Sequence, residues 1–205
     1  MISAERGLTK SSASGLPVTF DCCGRMEKQM DFGRLEYNIV EMLKEEQIKL
    51  GYQKETVRLY YPLSSVCRFL GSEMNADEMQ KELAHFSDAV KERLGNVTID
   101  HKKDRFCFMI PPEGAEYVRG LIRDDDFLVR FIGAIREHEC TIEDLKRIFC
   151  AYSDHVHYEK CEGEDYDYLL YFEDGRPDDF RYCITDEGIH LIYHRFSPED
   201  FEELN

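Results

Sequence analysis

Residues 155–196 read HVHYEKCEGEDYDYLLYFEDGRPDDFRYCITDEGIHLIYHRF. Four short runs stand out in them: HVHYEKC, DYDYLLYFED, DFRYCIT and GIHLIYHRF, joined by EGE, DGRPD and DEG. Aromatic and β-branched residues broken at short intervals by Gly, Pro and Asp turn chemistry predict a four-stranded antiparallel meander. The following Ser197-Pro198-Glu199-Asp200 predicts a terminal helix with Ser197 as its N-cap.

Upstream the period changes from two to 3.6. Leu35, Ile39, Leu43 and Leu50 recur at helical spacing, and Gly51 supplies a stop. In VRLYYPLSSVCRFLG, Pro62 suits the first turn of a short helix closing at Gly71. Asn75 caps a long helix whose stripe is Met79, Leu83, Phe86, Val90 and Leu94. NVTID and RFCFMI around HKKD predict one internal hairpin, ended by Pro111-Pro112. Helices are expected over 113–122 and 125–138, and a Thr141/Asp144 capping box opens another that ends near Tyr152. Residues 1–25 show no periodicity and predict a poorly ordered leader. The expectation is therefore an α+β fold over 26–205. Its helical part is 26–152, with the one hairpin, and its antiparallel part is 153–205.

Charge narrows the choice of partner. The net charge of −16 is spread as +1 over residues 1–34, −5 over 35–150 and −12 over 151–205. An acidic field of that size repels phosphate backbones and anionic lipid, so neither nucleic acid nor membrane is expected as a partner. The eight cysteines form no C-x-x-C pair, and several sit in apolar runs such as FCFMI and RIFCAY. With no apolar signal segment at the N-terminus, they predict reduced, mostly buried thiols in a cytoplasmic protein.

The stretch HVHYEKCE is the densest group of reactive side chains. On a strand, His155, His157, Glu159 and Cys161 share one face, with Val156 and Tyr158 on the other. His155, His157 and Glu162 match the first half of a cupin metal motif, and Cys161 could join them. The glycines that flank that motif are replaced by Phe149 and Leu169, and its second half is absent. Nor can His190 and His194 complete a site in an open meander, because the first and last strands lie on opposite edges. A polar, solvated strand face without metal is the expectation.

Cys67, near a helix start, is a candidate nucleophile without an indicated base. Glu82 and His85 make a single Glu-x-x-His copy where a di-iron centre needs two. Glu113 and Glu116 lack the second acidic pair of helical pyrophosphohydrolases, and no phosphate loop or G-x-S-x-G elbow occurs. No catalytic residue and no cofactor is assigned, and an enzyme is disfavoured. The expected function is binding or regulation of another protein through an acidic, aromatic sheet displaying Tyr166, Tyr168, Tyr171, Tyr182 and Tyr193. A metal-dependent enzyme at His155 and His157 is the alternative.

The stretch LEYNIVEMLKEEQIKLGYQKETVRLYYPLSSVCRFLG (residues 35–71) resembles an uncharacterised family of domain-of-unknown-function proteins from clostridial gut bacteria. The resemblance runs from about Met30 to the C-terminus. It implies a bacterial cytoplasmic protein and carries over no catalytic residue.

Overall fold

Leu35, Ile39 and Leu43 are fully buried along one side of helix α1, Gly33–Leu50. Leu50, at the same spacing, is 69% exposed, because α1 ends there at Gly51. The structure is a computed structural model that describes Met30 and residues 32–204, except Gln53, His138, Gly163 and Glu164. The expected leader, residues 1–25, lies outside the described residues.

Val57–Pro62 forms strand β1, which the sequence reading did not anticipate. It leads directly into helix α2, Leu63–Leu70, with Pro62 in the N-cap position and Gly71 in the left-handed conformation at the end. Helix α3, Ala76–Leu94, buries all five residues of its expected stripe and starts in a capping box between Asn75 and Glu78. Strands β2 (Thr98–Lys102) and β3 (Arg105–Ile110) make the expected hairpin. The correction is that β1 pairs antiparallel with the free side of β3, giving a three-stranded sheet ordered β1-β3-β2. Leu59 and Tyr61 lie opposite Phe108 and Phe106, on the face turned toward the helices. There Phe86 meets Phe108 edge-on with centroids 6.1 Å apart, and the Tyr61 hydroxyl donates to Asn38 of α1 at 2.8 Å.

Three helices follow: α4 (Pro112–Arg119), α5 (Phe127–Ile135) and α6 (Ile142–Tyr152), the last opened by the Thr141/Asp144 box. Gly114 of α4 lies against the end of α3, where an added Cβ would stand 2.3 Å from the Leu94 carbonyl oxygen. The C-terminal sheet is the expected meander: β4 (Val156–Lys160), β5 (Tyr168–Phe172), β6 (Arg181–Asp186) and β7 (Leu191–Phe196), in the order β4-β5-β6-β7. Its inner face carries Leu170, Phe172, Tyr182 and Ile184 against Phe127, Phe131 and Phe149 of α5 and α6. The rings form an edge-on cluster, with Phe131 and Tyr182 centroids 4.7 Å apart. Each such buried aromatic contributes about 1.5–3 kcal/mol by transfer from water.

Helix α7, Pro198–Leu204, closes the chain, with the Ser197 hydroxyl accepting from the Asp200 backbone N–H. Arg34 of α1 holds Glu199 and Asp179, each at 2.6 Å. Arg68 of α2 holds Asp200 and Glu203, also at 2.6 Å. Among the described residues, no helix is long and apolar enough to cross a membrane.

Candidate functional site

Strand β4 carries the histidine-rich stretch on the edge of the C-terminal sheet. Val156 and Tyr158 pack toward the core, and His157 faces the other way, as period two requires. The His157 ring stacks on Tyr171 with centroids 4.5 Å apart and planes 19° apart. Its Nε2 lies 3.3 Å from a Glu159 carboxylate oxygen, and its Nδ1 lies 4.0 Å from one of Glu173. His155 precedes the strand and is exposed, Cys161 is half-buried, and Glu162 is exposed beyond the strand end. His194 stands on β7, at the opposite edge, and His190 sits in the β6–β7 turn 3.2 Å from Glu187. Among the described residues no group of three or more His, Cys, Asp or Glu side chains could hold a metal ion.

The outer face of this sheet is built from planar groups laid side by side. The Arg181 guanidinium lies 3.9 Å from the centroid of the Tyr171 ring, on whose neighbour strand His157 stacks. Arg181 in turn pairs across to Phe196 on β7. One row therefore crosses all four strands as imidazole, phenol, guanidinium and phenyl. The next row along is Glu159, Leu169, Cys183 and His194. Leu169 and Cys183 are buried in it, and burial, with the nearby Cys161 thiol, pushes the Cys183 thiol up to about 12. A thiol held that high is inert as a nucleophile at neutral pH.

The five tyrosines expected on one surface do not share it. Tyr171 is on the outer face, and Tyr166, before β5, meets Phe201 of α7 at 6.4 Å. Tyr168 stacks on Tyr158 beside the core, Tyr182 is fully buried, and Tyr193 packs against Phe131. The reason is strand parity: Tyr168 and Tyr171 are three residues apart and must point to opposite faces.

Cys67 lines an open groove of about 820 Å3 with Pro62, Leu63, Arg68, Met74 and Asp104. Its thiol donates to the Met74 carbonyl at 3.7 Å, and no histidine meets it among the described residues. Nothing there activates it as a nucleophile.

A site absent from the sequence reading lies between α1 and β7. The Arg195 side chain is completely buried there. Its Nη2 donates to Glu41 at 2.9 Å and to Asp178 at 3.1 Å, its Nη1 donates to Glu45 at 3.4 Å, and the guanidinium lies 3.7 Å from the Phe180 ring centroid. The Tyr182 hydroxyl donates to Asp178 at 2.6 Å and that of Tyr193 to Glu45 at 3.0 Å. Lys44 and Lys49 neutralise Glu41 and Glu45 from outside, each at 2.7 Å. Burial raises the Asp178 carboxyl above its ordinary range, against the opposing pull of Arg195. With its carboxylates already held by cations and hydroxyls, the cluster ties α1 to the sheet. A signal for it exists in the sequence. Leu191, Tyr193 and Arg195 share the core-facing parity, and Asn38, Glu41 and Glu45 follow one helix face.

A family model described as a domain of unknown function, DUF3877, from an E. rectale gene, matches residues 32–205. No curated protein and no solved structure matches the chain.

Proposed function

Because the chain belongs to the DUF3877 family, whose description assigns no activity, we propose its function from its own surfaces: a non-enzymatic binding module that receives a cationic protein segment on the outer face of the C-terminal sheet. The observation that carries this reading is the row from His157 through Tyr171 and Arg181 to Phe196. It offers flat, partly exposed rings with the exposed carboxylates of Glu159 and Glu173 beside them. Aromatic platforms give large contact area at low entropic cost, and a charged rim sets partner sign and on-rate. The −12 balance of residues 151–205 favours a basic partner. A cytoplasmic setting suits the eight cysteines, which make no C-x-x-C pair.

The test is fluorescence anisotropy with a labelled peptide of alternating lysine and threonine. Binding should weaken about tenfold in a Glu159→Gln/Glu173→Gln/Tyr171→Ala variant, and remain in a Glu202→Gln/Glu203→Gln variant that removes charge elsewhere. Equal affinity for all three proteins would overturn the assignment to this face. Elemental analysis supplies a second check. Stoichiometric zinc, iron or manganese in untagged protein, lost on His155→Ala/His157→Ala, would replace this reading with that of a metal enzyme.

A further inference from the structure

The outer face of the N-terminal sheet carries the opposite chemistry. Leu59, Tyr61, Phe106, Phe108 and Ile110 use the inner side, so the alternate residues of β1, β2 and β3 point outward. Their order is fixed by the register. Arg58, Met109 and Thr98 form one row, Tyr60, Cys107 and Asp100 the middle row, and Pro62, Arg105 and Lys102 the third. Arg58, Tyr60, Pro62, Thr98, Asp100, Lys102 and Arg105 are all exposed, and Cys107 and Met109 are half-buried between them. Tyr60, at 56% exposure, stands near the centre with the Arg105 guanidinium 5.7 Å from its ring centroid.

The face gathers three cations beside a single acid. Acids outnumber bases 42 to 26 in this chain, so carboxylates are plentiful. Arg34, Arg68, Arg93, Arg147 and Arg195 each hold at least one, while Arg119, Arg123, Arg130 and Arg136, each apart from this face, hold none among the described residues. Arg58, Lys102 and Arg105 hold none among the described residues, and only Asp100 sits among them. Charges more than about 8 Å away are largely screened at physiological salt, so this patch attracts an anion despite the net charge of the chain.

A second feature fixes the shape of the occupant. Strand β1 is the outermost strand of its sheet, pairing with β3 alone. Its other edge offers backbone donors and acceptors to an added strand. A segment lying along β1 would present alternate side chains over Arg58, Tyr60 and the Pro62–Arg105 end. Residues four apart in such a segment are about 13 Å apart at about 3.3 Å per residue. We propose that this edge and face bind an extended acidic segment of another protein, with carboxylates at positions i and i+4 meeting Arg58 and Arg105 and an apolar residue at i+2 over Tyr60. A polynucleotide fits less well, since Tyr60 gives this face a single exposed stacking position.

The experiment selects random peptides displayed on phage against the full chain, with counter-selection on an Arg58→Glu/Arg105→Glu variant. Both substitutions are at exposed positions, and a circular dichroism melt verifies that the variant is folded. The expected result is enrichment of Asp or Glu four residues apart, with a synthesised representative losing at least about tenfold in affinity for the variant and for Tyr60→Ala. Selected peptides without paired acids, or ones that bind the variant equally, would overturn the proposal. So would an oligothymidylate that binds wild type more tightly than the selected peptide and is lost in the same variant. These substitutions leave the C-terminal sheet untouched, so failure here and failure of the lysine–threonine peptide test are separately readable.

Discussion

The two sheets solve one problem in different ways. Each is antiparallel and lays one face on helices, yet they differ in where they put charge. The N-terminal sheet keeps its core aromatic and aliphatic, and its cations stand outside without carboxylates. The C-terminal sheet buries Arg195 with three carboxylates on its inner side, and outside it stacks Arg181 on Tyr171 and sets His157 between Glu159 and Glu173. The buried charges of the second sheet hold the molecule together, while its outer face keeps Glu159 and Glu173 exposed. The first leaves Arg58, Lys102 and Arg105 exposed instead, which is why the two outer faces are assigned partners of opposite sign.

The largest test of that contrast is Arg195→Leu. It leaves Glu41, Glu45 and Asp178 without their shared cation in a buried place, a loss of about 3–5 kcal/mol. For a domain of this size that lowers the melting temperature by about 10 °C, measured by calorimetry. A fall of only a degree or two would show that the cluster is not what joins α1 to the sheet. Gly114→Ala probes the other region with a smaller effect. Its Cβ would meet backbone at Leu94, and the α3–α4 contact must open at a cost of about 1–3 kcal/mol. An unchanged chemical-denaturation midpoint would mean that the α3–α4 contact yields to a methyl group without cost.

The smallest effect is on pH dependence and involves α7. Burial of Glu199 works against its charge, but the hydrogen bond and charge of Arg34 prevail and hold its carboxyl below the ordinary glutamate range. A depressed folded-state value contributes stability above the unfolded-state value, and that stability is lost as pH falls through the folded one. Glu199→Gln should therefore lower the melting temperature slightly at neutral pH and flatten its decline between about pH 5 and 3. Parallel profiles for wild type and variant would remove Glu199 from the acid sensitivity of the fold.

Much of this was readable from residue spacing. The stripes from Met79 to Leu94 and from Leu35 to Leu43, the capping boxes at Asn75 and Thr141, and the four-strand meander all follow from local rules, because period and turn chemistry are local. Strand β1 is less legible because its last residue, Pro62, is also the N-cap of α2 and carries a helix-start signal, although V-R-L-Y-Y alternates as a strand does. The tyrosine surface failed on parity, which the same period-two rule would have caught. The Arg195 cluster lay further out of reach. Its parity marks a buried charge, but the partners Glu41 and Glu45 are placed by the packing of α1 on β7, and nothing local specifies that.

Glu41 and Arg195 are 154 residues apart in the chain. Arg34 waits longer still for Glu199, at a separation of 165. During synthesis α1 leaves the ribosome with Glu41, Glu45 and Arg34 facing water, while the stripe of α3 and the hairpin that follows can already pack on its apolar side. The N-terminal sheet can thus assemble as an early nucleus. The ionic contacts of Arg195 with Glu41 and of Arg34 with Glu199 close only when the last strand and helix emerge, together with the apolar packing of Tyr37, Met42 and Ile48 on the meander core.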